Sequence, residues 1–284
     1  MDDSSEHLLA IILDTNLTSV VANGDEVGPV LDAILVFCNA HLMASTSNML
    51  CLIVAHADQN RPLFPPEAED AHAQGHYELF SQSCADIVRQ LKDMMEETPP
   101  GSHTSAPMAA GLAMSLCFIN RISRERPPQV RLQKRVLVVT AHGTVAAQYM
   151  DFMNVFFTAQ KLAIQVDACV LGQESGVLQQ GADITGGICL RTPHARGLLQ
   201  YLLWVFLPFG EQRQKLALPE PPVVDYRAAC FCHRQLVSVG FVCSVCLSIF
   251  CKFAPICSTC HTVFKVKGMS LPKPTKRKRA KHGL

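Results

Sequence analysis

Seven of the thirteen cysteines in this 284-residue chain fall in one short stretch, CFCHRQLVSVGFVCSVCLSIFCKFAPICSTCH, from Cys230 to His261. Within it, Cys243-Ser-Val-Cys246 and Cys257-Ser-Thr-Cys260 are two CxxC pairs with ten residues between them. A CxxC turn presents two thiolates to one ion. Two such turns complete a tetrahedral shell at Zn–S distances of about 2.3 Å. A closed shell of four sulfurs has no position left for water, so the ion expected here is structural Zn2+ and not a catalytic one.

The other thiols of the stretch, Cys230, Cys232 and Cys251, are candidates with His233 for a second zinc site interleaved with the first. In RING-like cross-brace modules, ligand pairs one and three hold one ion and pairs two and four hold another. Here pairs two and four are intact. Pair one is CFCH, an odd spacing, and pair three keeps only Cys251 before FAPI. The second site is therefore read as lost in preference to irregularly built, and the expected cofactor is one structural zinc ion, with a second ion only if the site is intact.

A different chemistry is suggested by Asp14-Thr15-Asn16-Leu17-Thr18, where oxygen-bearing side chains stand at alternate positions after an apolar run. Oxygen ligands on a strand-end loop suit a hard cation such as Mg2+. The spacing resembles the metal-ion-dependent adhesion motif, Asp-x-Ser-x-Ser, of von Willebrand A domains, and the likeness in strand–helix order covers Glu6 to about Phe209. The resemblance also implies a Thr ahead of a later helix, for which Thr104 or Ser105 could stand, and an Asp after a later strand. At that second place VVTAHG has Ala141, and Asn16 and Thr18 replace the serines. With one carboxylate left, Asp14, Asn16 and Thr18 are read as a degenerate remnant that orders its loop by hydrogen bonding to backbone N–H groups. Mg2+ is not expected.

Elements that would position these groups follow from the apolar pattern. HLLAIILD, NMLCLIVAH, RVLVVTAH, IQVDACVL and DITGGICL read as strands, the first three as continuous apolar runs of the kind a buried parallel strand shows. Helical stretches lie between them: PVLDAILVFCNAHLM from Pro29, a long amphipathic helix from about His76 to Glu97, PMAAGLAMSLCFIN with a small-residue face, Gln148 to Leu162, Ser175 to Gly181, and His194 to Leu207. ADQNRPLFPPEAEDAHAQG is polar and Pro-rich and reads as a loop. Alternating strands and helices imply an α/β doubly wound, mostly parallel sheet covered on both faces. No internal repeat is apparent. The domain boundaries expected are 1–209 for the sheet domain, 210–222 for a linker, 223–266 for the zinc module and 267–284 for a basic disordered tail.

Composition agrees with a globular chain, at 49% hydrophobic and 17% charged residues. All 24 acidic residues lie at or before Asp225 with 14 Lys/Arg, a balance of −10, whereas the rest of the chain has 11 Lys/Arg and no acid, +11. Such asymmetry suggests two parts with different partners. The longest apolar run, LLQYLLWVFLPF, is short of the roughly 20 residues a membrane span takes, and the N-terminus lacks a basic secretory n-region. No membrane partner is therefore expected, and a reducing compartment favours metal over disulfides for clustered cysteines. Cys38, Cys51, Cys84, Cys117, Cys169 and Cys189, each in apolar surroundings, read as buried small hydrophobes. His41, His56, His142 and His194 stand alone and read as structural or solvated. There is no GxxxxGK[ST] loop, GxSxG elbow or HExxH helix. An enzyme with a small-molecule substrate is not expected. In the tail, Lys273, Lys276, Arg277, Lys278, Arg279 and Lys281 read as a nuclear import signal; a direct nucleic-acid contact from so short a run is weak and salt-dependent.

LAIILDTN, MAAGLAMSLCFINR, RVLVVT and the block FVCSVCLSIFCKFAPICSTC together resemble the small von Willebrand A-like, zinc-binding core subunits of general transcription and DNA repair factor IIH. The resemblance implies a nuclear, non-catalytic scaffold acting in RNA polymerase II initiation and nucleotide-excision repair. It implies docking to a larger von Willebrand A-like, RING-like zinc subunit and to other core subunits, with any DNA contact made through the complex. Two rival readings stay open: a nucleic-acid-binding zinc protein, which requires DNA affinity in the C-terminal fragment from Ala229, and a RING-like ubiquitin ligase component, which requires both zinc sites.

Overall fold

The structure, a computed structural model, describes residues 6–15, 27–56, 59–65, 76–97, 106–127, 130–141, 148–172, 174–219, 223–233 and 235–264. The chain divides into two compact units, Met1–Tyr226 and Arg227–Leu284. In the first, a six-stranded sheet runs in the order β3-β2-β1-β4-β5-β6. Its strands are β1 (Glu6–Asp14), β2 (Met49–His56), β3 (Gln59–Phe64), β4 (Leu132–Thr140), β5 (Gln165–Val170) and β6 (Cys189–Arg191). Every pairing is parallel except that of β2 with β3. This is the doubly wound arrangement expected, with the reversal of strand order between β1 and β4, where such sheets place ligands.

Continuous apolar runs in β1, β2 and β4 follow from burial on both faces. Leu9, Ile11 and Leu13 enter a core with α1 (Val27–Ala44), α2 (His76–Glu97) and α6 (Leu198–Tyr201), which continues as a π turn over Leu202–Phe206. On the opposite face Leu8, Ala10 and Ile12 are as fully buried. There α3 (Met108–Glu125) packs through its small residues: a Cβ on Gly111 would stand 3.4 Å from Ile12. α4 (Tyr149–Lys161) and α5 (Gly176–Thr185) cover β5. α1 is long and apolar enough by composition to cross a membrane, but Val30, Ala33, Ile34, Phe37, Cys38 and His41 are buried in this core, which accounts for its apolarity.

Three expectations need correction. Part of the stretch read as a Pro-rich loop is β3, an antiparallel edge strand; Pro62 is tolerated because an edge strand need not donate on both sides. DITGGICL is only partly strand, since Asp183–Thr185 finish α5 and Gly186, at φ 71°, caps it. The expected linker 210–222 begins with a helix, α7 (Gly210–Gln214), bound into the first unit. Arg213 of α7 reaches Asp167 of β5 at 2.9 Å, and Asp167 also pairs with the buried Arg135 of β4 at 3.4 Å. Arg135 in turn donates to the carbonyls of Pro208 (2.8 Å) and Phe206 and lies 3.9 Å over the Phe209 ring. Asp167 further accepts the N–H of Ile188 at 2.7 Å. A single buried carboxylate thus fastens β4, the approach to β6 and α7, and the first unit runs on to Tyr226. Among the scattered cysteines, Cys38, Cys51 and Cys169 are buried as expected, Cys84 and Cys189 are half-buried, and Cys117 on α3 is exposed.

Candidate metal centres

The second unit is built on short turns, each closed by a short antiparallel pairing. β9 (Phe241–Val242) and β10 (Ile249–Phe250) pair Val242 with Ile249 around residues 243–248. Ile256 bridges Val263 around residues 257–262. Inside the first turn Cys243 N–H donates to the Ser248 carbonyl and Leu247 N–H to that of Cys243, both at 2.9 Å. Inside the second, Cys257 N–H donates to Thr262 and His261 N–H to Cys257, again at 2.9 Å. Leu247 and His261 both take the left-handed conformation, φ 60° and 58°. The two turns are therefore the same object, and each holds its pair of thiols on one side.

Sγ of Cys243 lies 3.7 Å from Cys260, and Sγ of Cys246 lies 3.6 Å from Cys257. All four sulfurs fall within 4.8 Å of one another. A disulfide needs about 2.05 Å, whereas the edge of a tetrahedral zinc–thiolate shell at the usual Zn–S length is about 3.8 Å. The sulfurs thus have the separation that a shared ion requires, and the donor set fits Zn2+. At two of the four thiols, local hydrogen bonds favour the thiolate. The Ser248 hydroxyl, 3.2 Å away, and the Ser248 N–H draw the Cys246 thiol down to about 6. The Thr262 hydroxyl and N–H lower that of Cys260 in the same way. Cys243, Cys257 and Phe250 are the buried centre of the unit, with Cys246, Cys260 and Phe264 against them. The four-thiol cluster is thus also part of the unit's buried core.

The second set is brought together as well. Ligand atoms of Cys230, Cys232, His233 and Cys251 all lie within 4.8 Å of one another. Cys251 Sγ is 3.4 Å from Cys232 Sγ and 3.2 Å from His233 Nδ1. The expectation of a lost site rested on the odd spacing of CFCH and on a third pair reduced to Cys251, and the turn explains the spacing. β7 (Ala228–Ala229) and β8 (Leu236–Val237) pair Ala229 with Leu236, and Cys230 N–H donates to Gln235 at 2.9 Å. That is the register of the other two turns, so position four, occupied by Cys246 and Cys260 there, is His233 here. The unit contains one turn built three times, a repeat that the sequence hides because the third copy replaces a cysteine by histidine.

At the strand ends of the first unit, the buried Asp14 accepts a hydrogen bond from the Thr140 hydroxyl at 2.8 Å across the β1–β4 switch. Thr15 meets His56 Nδ1 at 2.6 Å. Ala141, at the position where a carboxylate was sought, is fully buried. Asn16, Thr18, Thr104, Ser105, His142 and the basic tail from Lys273 to Lys281 lie outside the described residues. Thr140, whose hydroxyl bonds Asp14, is a neighbour of the candidate site that the sequence does not signal, since a threonine closing a strand gives no sign by spacing alone.

A family model described as transcription factor Tfb4 matches residues 6–261. A relative from Schizosaccharomyces pombe, the general transcription and DNA repair factor IIH subunit tfb4, is 37% identical over 273 residues, covering 93% of this chain and 90% of its own length. General transcription factor IIH subunit 3 of Dictyostelium discoideum is 37% identical over 262 residues, covering 84% of this chain and 68% of that protein. A crystal structure of the TFIIH p34 N-terminal domain is similar at a TM-score of 0.63 and 29% identity, covering 72% of this chain and 99% of that domain.

Proposed function

This chain belongs to the transcription factor Tfb4 family, and on that premise we propose that it is a non-catalytic, nuclear structural subunit of the factor IIH core. It acts in RNA polymerase II initiation and in nucleotide-excision repair, through the complex and not through chemistry of its own. The observation that carries this reading is the extent of the family match, which runs through both compact units from the first strand to the last thiol pair. Relatives named for factor IIH subunits match at 37% identity along most of the chain.

Within that role, the first unit docks a larger von Willebrand A-like zinc subunit by the shape of its surface and not by a bridging cation. Supporting this, Asp14 spends acceptor capacity on Thr140, and Ala141 supplies no second carboxylate. A hard divalent ion needs several oxygens at once. Cys243, Cys246, Cys257 and Cys260 hold one structural Zn2+, which folds a unit whose described apolar core is a few residues. The zinc module contributes a second contact. Phe241, Leu247 and Phe253 are 50%, 70% and 45% exposed there, more apolar surface than a small free module keeps without use. The tail from Lys273 to Lys281 serves nuclear import.

Depletion and add-back test the role. Removing the protein from nuclear extract is expected to lower both promoter-dependent transcription and excision of damaged DNA, with recovery on adding the purified factor IIH core but not its helicases alone. Unchanged activity in both assays would contradict it.

A further inference from the structure

We propose that the C-terminal unit binds a second Zn2+ through Cys230, Cys232, His233 and Cys251, so that it is a two-metal module. This goes beyond the single four-thiolate ion of the proposed function and stands on different side chains. Three observations converge on it. First, the turn opened by Cys230 has the same pairing of flanking residues as the two thiol turns and the same hydrogen bond from its first residue to its sixth. The opening cysteine is equally sealed in all three, at 1% exposure for Cys230, Cys243 and Cys257. A turn of this shape has its first and fourth side chains aimed at one point, and here these are Cys230 and His233.

Second, the chain supplies the missing side of the shell from a distance. Phe231 N–H donates to the Ile249 carbonyl at 2.8 Å, tying the turn to β10, and Cys251 follows directly after β10. That contact brings Cys251 Sγ to 3.2 Å from His233 Nδ1 and 3.4 Å from Cys232 Sγ, with all the cysteines free. Three thiolates and an imidazole form a soft donor set that selects Zn2+ over the oxygen-seeking cations. Third, the ligands alternate along the chain. Cys230, Cys232 and His233 come before Cys243 and Cys246, and Cys251 comes before Cys257 and Cys260. Each ion would therefore close a loop through the other's ligands. Such cross-bracing supplies the order that so few buried apolar residues cannot.

Zinc content of the full-length chain, purified under reducing conditions, tests this by elemental analysis. About two ions per chain are expected, falling to about one in Cys251→Ser and in His233→Ala. One ion in the unaltered chain overturns this proposal alone, and none overturns the four-thiolate reading as well. Two ions retained in both variants also overturn it. If either variant loses both ions by unfolding, Co2+ substitution of the unaltered chain decides. A d–d envelope with a component shifted to shorter wavelength, as nitrogen ligation produces, supports the second site; a spectrum of four-sulfur sites only overturns it.

Discussion

Cys246 Sγ lies 3.6 Å from Cys257 Sγ but sits in a different environment, half-exposed beside Ser248 where Cys257 is buried. Serine at position 246 removes a thiolate without changing shape, so any loss is a loss of metal ligation. Cys246→Ser is expected to release the ion and abolish protease resistance of the C-terminal unit, while the thermal transition of the sheet unit stays in place; limited proteolysis and calorimetry on the full chain measure both. Asp167 is the corresponding single point in the first unit. It is fully buried between two guanidiniums, and burial holds Arg135 down to about 10. Asp167→Asn leaves those charges uncompensated and is expected to cost about 3–5 kcal/mol in denaturant unfolding. His41 adds a pH dependence. Burial, opposed by its contact with the Met49 carbonyl and aided by Arg135 and His7, lowers its imidazole from 6.5 to about 4. Between those values the unfolded chain takes up a proton that the folded chain refuses. Stability is therefore lost as pH falls from about 6.5 toward about 4, by up to about 3 kcal/mol. Urea midpoints measured across that range check it, and the slope is expected to flatten in His41→Gln.

At the scale of elements, the long buried runs were legible because period and length agree: β1, β2 and β4 stand where LLAIIL, LCLIVA and VLVVT predict them. The edges were not. β3 carries Gln, Asn, Arg and Pro because it is paired on one side only, and its polarity made it look like a loop. α7 is too short and polar to announce itself; its place depends on the ion pair of Arg213 with a residue 46 positions away. The glycines of DITGGICL read as part of a strand, yet Gly187 lies tight against the backbone of β5. A Cβ there would lie 2.0 Å from the Val166 carbonyl oxygen, which is backbone and cannot swing aside. Gly187→Ala is expected to push β6 off the sheet edge and cost about 1–3 kcal/mol, read as a lowered unfolding midpoint with faster amide exchange at Ala168, whose N–H bonds to Ile188 at 2.8 Å. In the second unit the clustering of Cys243, Cys246, Cys257 and Cys260 was legible from CxxC spacing alone, while the turn opened by Cys230 was hidden because its fourth position is His233 and not cysteine.

For the whole molecule, charge and cysteine usage divide the sequence near Asp225, and the structure divides the chain at Tyr226, so the partition into an acidic sheet unit and a basic, cysteine-rich unit has a physical boundary. The first unit keeps the doubly wound sheet and the switch point at which such folds act, with Asp14 hydrogen-bonded across it to Thr140. Assembly is the use proposed for both surfaces, and it is the claim on which the functional account turns. Affinity capture of the tagged full-length protein from nuclear extract of its own cells, with mass spectrometry of the eluate, tests it most directly. The account predicts the factor IIH core subunits, the larger von Willebrand A-like zinc subunit among them, in amounts near that of the bait. Recovery of the chain without those subunits, at physiological salt, would contradict it.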